Sequence, residues 1–122
     1  MEFLQRLAES VLTRIQLKIY GKEILSKYEN LFDTELFGFR EAVAVYEELI
    51  QEDSEDRKKY QFLIDLCGGN DYARWLVDFC ITALLYPQFH AFSMEYWNGI
   101  TLDVVAEYVE QELSYKELKK TW

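Results

Sequence analysis

The sequence predicts an all-α fold, a compact and irregular bundle of six to eight helices that forms one domain over residues 1–122. Apolar residues recur every three or four positions almost throughout, which is the spacing of amphipathic helices. The chain has one proline and five glycines, so few positions favour long loops. No segment predicts a convincing strand, because the short β-branched run at 43–45 has helical flanks.

Three helices are predicted in the first half of the chain. The first ends near Gly21, because glycine accepts the left-handed conformation that follows many helices. A short second helix comes next, and the third has the most regular apolar stripe. The apolar positions of the three helices are Leu4, Leu7, Val11, Ile15 and Ile19; Ile24, Leu25, Tyr28 and Leu31; and Phe39, Ala42, Val43, Tyr46, Leu49 and Ile50.

A fourth helix is predicted after the acidic segment 51–55. Asp53 or Ser54 can cap it, because a side-chain oxygen at that position accepts a hydrogen bond from a free backbone amide. The glycine pair Gly68–Gly69 ends the helix. Its apolar positions are Tyr60, Leu63, Ile64 and Cys67.

The fifth helix, at about residues 72–86, is predicted to be the central helix of the bundle. Asn70 or Asp71 can cap its start. The helix is apolar almost all round, and a helix with so little polar face is normally covered by its neighbours. Its apolar residues are Trp75, Leu76, Val77, Phe79, Cys80, Ile81, Ala83, Leu84 and Leu85.

The last third of the chain is predicted to hold the remaining helices. Pro87 cannot continue the fifth helix but suits the first turn of a sixth. Asn98–Gly99 forms a turn and Thr101 caps a seventh helix. Ser114 and Glu117 match a capping box, which predicts a separate final helix. The apolar positions of these three helices are Phe89, Phe92, Tyr96 and Trp97; Leu102, Val105, Val109 and Leu113; and Trp122.

The charge of the chain argues against two classes of partner. The formal net charge is -9, from 22 acidic and 13 basic residues. Phosphate groups are bound by Lys and Arg, so we expect neither a nucleic-acid partner nor binding to an anionic membrane. The longest apolar stretch, 75–86, contains Asp78 and is shorter than the roughly 20 residues that span a bilayer. Because no signal peptide is evident, the sequence predicts a cytoplasmic protein.

The sequence predicts no catalytic residue, no metal site and no cofactor site, and therefore no enzyme. The one histidine, His90, lies among aromatic residues, and a hydrolytic triad needs a base beside its nucleophile. Zinc needs about four closely spaced ligands, and Cys67, Cys80 and His90 are too few and too scattered. Both cysteines lie in apolar runs, which predicts buried thiols rather than a disulfide framework.

One segment carries only acidic charge. From Glu41 to Asp56 the chain has no Lys or Arg. The simpler interpretation is a solvated helix face and a flexible acidic loop that help to keep the domain in solution. The alternative is a docking patch for a basic protein partner, since complementary charge speeds encounter and fixes orientation. The residues assigned to that patch are Glu47, Glu48, Glu52, Asp53, Glu55 and Asp56.

A second feature is the excess of aromatic residues over positions 75–97. At helical spacing these residues are predicted to form core. Any that are exposed would mark a binding surface, because Tyr and Trp commonly anchor interfaces. The residues are Trp75, Tyr86, Phe89, Phe92, Tyr96 and Trp97.

Residues 71–113 resemble part of a known family. The helix from Asp71 reads DYARWLVDFCITALLY and is followed by a proline, a tyrosine-bearing helix, a turn and the sequence Ile100–Val105. This order resembles the helical region that precedes the ATPase core in a bacterial family of AAA-type ATPases. Gln88–Phe89 and Asn98–Gly99 stand in place of acidic residues usual in that family. The resemblance implies an N-terminal domain for docking or regulation, with the Walker motifs beyond Trp122.

Two functions are therefore expected. The first is a non-catalytic protein-interaction or regulatory domain, which the resemblance would make the N-terminal accessory domain of a larger ATPase. The alternative is a stand-alone acidic inhibitor or immunity-type protein that binds a basic protein partner, which small size and strong acidity favour. The identity of the partner, the oligomeric state and the choice between the acidic face and the aromatic cluster stay open at this point.

Overall fold

The computed structural model describes residues 2–36 and 38–120, with side chains as far as residue 117. This part of the chain is all-helical, as predicted, with seven α-helices and no strand. The helices are α1 (Glu2–Lys18), α2 (Glu23–Lys27), α3 (Phe39–Ile50), α4 (Glu55–Leu66), α5 (Asp71–Leu85), α6 (Pro87–Trp97) and α7 (Leu102–Lys120).

Three helices begin at the caps that the sequence predicts. The amide of Arg57 donates to Ser54 Oγ at 3.2 Å at the start of α4, and the amide of Ala73 donates to Asn70 Oδ1 at 2.8 Å at the start of α5. The Thr101 hydroxyl likewise accepts from the amide of the third residue of α7, at 3.3 Å. Each cap satisfies a backbone amide that has no partner inside its helix.

Glycine allows α4 and α5 to form a hairpin. Gly68 and Gly69 both have positive φ, of +115° and +72°, a conformation that side chains with a Cβ rarely adopt. The amide of Gly69 donates to the carbonyl of Ile64 at 2.9 Å, which closes the end of α4. The chain therefore reverses within a few residues, and α4 and α5 pack against each other.

Two helix predictions need correction. The second helix is only a turn or so long, because the chain from Tyr28 to Phe32 continues as hydrogen-bonded turns rather than as helix. No separate final helix begins at Ser114, because α7 runs through that position. The ring of Tyr115 lies 4.9 Å from that of Phe39, so α7 still packs against the bundle beyond Ser114. The predicted anchor of the final helix, Trp122, lies outside the described residues.

Helix α5 occupies the central position predicted for it. It lies between two apolar clusters, and α1 contributes to both. Trp75 and Phe79 face the cluster formed with α6 and α7, whereas Val77 and Ile81 face the cluster formed with α3 and α4. In the described part of the chain, no helix combines the length and the apolarity that crossing a membrane requires.

Candidate functional site

The acidic residues singled out from the sequence lie around the connection between α3 and α4. We call Glu47, Glu48, Glu52, Asp53, Glu55 and Asp56 the acidic corner. Glu47 is half-buried and the other five are exposed. Glu41, which belongs to the same acid-only segment, lies in the first turn of α3, at the opposite end of that helix.

Local bonds stabilise the acidic corner. Ser54 Oγ donates to Glu52 Oε2 at 2.7 Å while it caps α4. Arg57 Nε donates to the carbonyl oxygen of Glu52 at 2.8 Å. Glu55 and Asp56 occupy the first turn of α4, where the helix dipole favours negative charge. Hydrogen bonds from Ser54 and Arg57 to Glu52 therefore connect the loop of the acidic corner to the start of α4.

The aromatic residues between 75 and 97 form core, which is the first of the two interpretations given above. Trp75, Phe89 and Phe92 are buried, and Tyr86, Tyr96 and Trp97 are half-buried. The Trp97 ring stacks on that of Phe79 with centroids 5.8 Å apart and meets the edge of Phe92 at 5.3 Å. None of the six is exposed.

The densest group of ionisable side chains is buried and was not predicted. Asp78 on α5 is fully buried, and its two carboxylate oxygens accept hydrogen bonds from the hydroxyls of Tyr46 on α3, at 2.5 Å, and Tyr60 on α4. Arg74 Nη1 donates to the Tyr46 hydroxyl at 2.5 Å and lies 3.9 Å from Asp78 Oδ2. This buried network joins three helices through one carboxylate.

Glu112 connects α7 to the same network. Its Oε2 atom accepts hydrogen bonds from Arg74 Nη2 and, at 2.8 Å, from Trp75 Nε1. Arg74 therefore connects Glu112 on α7 to two carboxylates of its own helix, the buried Asp78 and the exposed Asp71, the latter at 3.8 Å. Replacing either partner would leave the other charge poorly compensated inside the protein.

Arg14 completes the network from α1. Its guanidinium carbon lies 4.5 Å from the centre of the Tyr46 ring and 4.6 Å from that of Trp75, so the cation is held between two aromatic faces. Its Nε donates to the carbonyl of Ser10 at 3.3 Å, whereas Nη2 has no hydrogen-bond partner among the described residues. With Arg74, Asp78 and Glu112, the buried network contains two cations and two carboxylates, which balance.

Burial and the neighbouring charges shift the pKa values of the carboxyl groups of the network in opposite directions. Burial raises the pKa of Asp78 to about 6, although Arg74 and the two tyrosine hydroxyls lower it. Burial would also raise the pKa of Glu112, but the charges of Arg74 and Arg14 and the hydrogen bonds from Arg74 and Trp75 together hold that pKa below its usual value. Burial lowers the pKa of Arg14. Every carboxylate of the network is held by partners within it, as expected for groups that stabilise packing.

A cavity of about 440 Å³ lies between α1, α6 and α7. Lys18 Nζ is 2.5 Å from Glu107 Oε1, and Lys22 Nζ donates to the Tyr96 hydroxyl at 2.8 Å. Both ammonium groups are engaged by side chains of the cavity wall, so an anion would have to displace these contacts. Within the described residues, no group of three or more His, Cys, Asp or Glu side chains could hold a metal ion.

The outer side of the α4–α5 hairpin exposes a group of apolar side chains. Of the large ones, Phe62 is 61%, Leu66 is 68% and Leu84 is 82% exposed. On α5 the residues Tyr72, Leu76, Cys80 and Leu84 follow one side of the helix at intervals of four residues; Leu76 is half-buried and the other three are exposed. We call this surface the hairpin face; it consists of Phe62, Leu63, Leu66, Tyr72, Leu76, Cys80 and Leu84.

Both cysteines lie on this hairpin, and the prediction that they are buried was wrong. Cys67 and Cys80 are exposed free thiols. Cys67 follows the last turn of α4 and Cys80 lies on the uncovered side of α5, so apolar neighbours in the sequence did not indicate burial. Partial burial and the proximity of Cys67 raise the pKa of the Cys80 thiol. The raised pKa leaves less of the Cys80 thiol in the reactive thiolate form.

No family model, no curated protein and no solved structure matches the chain. The resemblance of residues 71–113 to the region before an AAA-type ATPase core therefore stays a prediction. The contacts and surfaces described above carry the functional argument.

Proposed function

We propose that this chain is a non-catalytic protein-interaction domain whose main binding surface is the hairpin face. The observation that carries the proposal is the exposure of Phe62, Leu66 and Leu84 on two helices packed side by side. Single exposed apolar residues are normal, but a contiguous apolar patch on a folded domain commonly marks a surface that another protein covers.

The use of the ionisable groups supports a non-catalytic role. A general acid or base needs a perturbed pKa and access to a substrate. Asp78 has the perturbed pKa, but it is fully buried and both of its oxygens are occupied by tyrosine hydroxyls. The most perturbed carboxyl therefore serves packing in this proposal, and the surface serves binding.

The interaction domain has two possible settings, and both are proposals. One is the N-terminal accessory domain of a larger ATPase, which the resemblance of residues 71–113 suggests. The other is an acidic inhibitor or immunity-type protein, and the specific observation that favours it is the acidic corner. Five of its six carboxylates are exposed, and they are concentrated at one end of α3 and the start of α4. A basic protein would complement that surface.

A matched set of variants tests the proposed binding surface. Phe62→Gln/Leu66→Gln removes one aromatic and one leucine side chain from the hairpin face. Tyr20→Gln/Leu102→Gln makes the same chemical change at positions that are 80% and 75% exposed elsewhere. Glu48→Lys/Glu52→Lys/Asp53→Lys reverses the acidic corner. Each tagged chain is used to capture proteins from cells of its own host, and captured proteins are quantified by mass spectrometry.

The expected result is a protein that the wild type and the Tyr20/Leu102 variant retain and that the Phe62/Leu66 variant loses. The charge-reversal variant could also lose the same protein, and capture by the wild type could weaken as salt concentration rises. These two results together would add the acidic corner to the interface and identify a basic partner. Equal capture by all three variants and the wild type would contradict the proposed surface.

A further inference from the structure

We infer that the hairpin face binds a second copy of this chain, with the two α4 helices antiparallel across a two-fold axis near Phe62. The inference rests on the proposed function, because it names the occupant of the same surface. It is carried by three properties of the face: its area, the placement of charge along α4 and the distance of the acidic corner from the axis.

The area of the hairpin face suits a small two-fold interface. The exposed fractions of Phe62, Leu63, Leu66, Tyr72 and Leu84 are 61%, 45%, 68%, 44% and 82%. These fractions correspond to roughly 500 Å² of exposed apolar residue surface on one chain, at the upper end of what monomers show. Because a two-fold interface covers the same patch on both chains, pairing would bury roughly 1,000 Å² in total, about the minimum for a specific interface.

The charges beside the face complement a second copy of it. Lys58 and Asp65 are both exposed and lie seven residues apart, which is about two helical turns, so they flank the same side of α4. Antiparallel pairing about a point next to Phe62 places Lys58 of each chain opposite Asp65 of the other. In the single chain Lys58 lies 3.5 Å from Glu55, and Asp65 accepts a hydrogen bond from Gln61 at 2.9 Å. Both are surface contacts that cost little to replace. The same pattern of flanking charges sets orientation in antiparallel helix pairs.

The overall acidity of the chain does not oppose this arrangement strongly. The seven residues of the hairpin face are uncharged, and the exposed charge one turn before Phe62 and Leu63 on α4 is that of Lys59. Glu55 begins α4, roughly 10 Å along the helix from the inferred axis, so antiparallel pairing places the two Glu55 residues roughly 20 Å apart. That separation exceeds the screening length of about 8 Å at physiological salt. Parallel pairing would instead bring the two acidic corners together.

Sedimentation equilibrium of the full chain, from low to high micromolar concentration, tests the inference. We expect the wild type and the Tyr20→Gln/Leu102→Gln control to reach twice the chain mass of 14.6 kDa, and Phe62→Gln/Leu66→Gln to remain at that mass. Circular dichroism checks that all variants keep their helices, which is expected because the replaced side chains are exposed. A wild type that stays at 14.6 kDa, or a Phe62/Leu66 variant that still dimerises, would overturn the inference.

A charge swap tests the antiparallel geometry. Lys58→Glu places two like charges opposite each other and should weaken association by about tenfold or more. Lys58→Glu/Asp65→Lys should restore it, and each new charge suits the dipole at its end of α4. Failure of the double swap to restore association would overturn the antiparallel arrangement.

The two proposals can fail separately. If the wild type is monomeric but the capture experiment finds a protein that only the Phe62/Leu66 variant loses, self-association is wrong and the proposed function stands. If neither experiment depends on the hairpin face, both are wrong.

Discussion

At the scale of single residues, Asp78 is the feature that sequence reasoning explained least. It is fully buried in the most apolar helix, and in the sequence it is visible only as a polar interruption of the stretch 75–86. The available signal was Arg74, four residues earlier, because such a pair can interact along a helix. Tyr46 and Tyr60 come from other helices, and no spacing in the sequence shows that their hydroxyls meet this carboxylate.

The raised pKa of Asp78 predicts a specific pH dependence of stability. Folding raises this pKa from 3.8 to about 6, so the folded protein binds the proton more tightly than the unfolded chain. Its contribution to the free energy of unfolding is therefore fully present below the unfolded pKa and is lost as pH rises through the folded pKa. We expect the free energy of unfolding of the wild type, minus that of Asp78→Asn, to fall by on the order of 2 kcal/mol between pH 4 and 7.

Urea unfolding of both proteins at several pH values measures this difference. Subtracting the free energy of unfolding of Asp78→Asn from that of the wild type cancels the contributions of the other titrating groups. These include Glu112, whose pKa is shifted in the opposite direction. A difference that does not change between pH 4 and 7 would show that burial does not dominate the ionisation of Asp78.

Among the helices, local chemistry predicted three N-terminal caps correctly and a fourth wrongly. Ser54, Asn70 and Thr101 cap helices as predicted, because a cap depends on one side chain and the amides that follow it. Ser114 has the same local signature, yet α7 continues through it, because packing beyond that point keeps the chain helical. Local signals therefore set a preference that tertiary contacts can override.

Two serine substitutions separate these cases. Ser54→Ala removes a cap and should lower the free energy of unfolding by about 1 kcal/mol. Ser114→Ala replaces an exposed residue inside α7 and should be neutral or stabilising by up to about 0.5 kcal/mol, because alanine is the better helix former. Urea unfolding of the two variants beside the wild type measures both effects. A loss near 1 kcal/mol for Ser114→Ala would mean that this serine caps a separate helix after all.

At the scale of the whole molecule, the fold was predictable and the main candidate surface was not. The helical spacing of apolar residues and the small number of proline and glycine residues suffice to predict an all-α bundle. The segment that carries only acidic charge also indicated where the acidic corner lies. From the sequence, the apolar residues that α5 contributes to the hairpin face were predicted to be covered by neighbouring helices. Only the packed structure shows that α4 covers one side of α5 and leaves Tyr72, Cys80 and Leu84 outside.

Alkylation of Cys80 reports whether a second copy of the chain covers the hairpin face. Cys80 lies within the face, so a Cys67→Ser background makes it the only reporting thiol. We expect the alkylation rate of Cys80 to fall as protein concentration rises into the range where the dimer forms. The same thiol in Phe62→Gln/Leu66→Gln should react at one rate throughout. A Cys80 rate that is independent of protein concentration in the Cys67→Ser chain would contradict the inferred pairing.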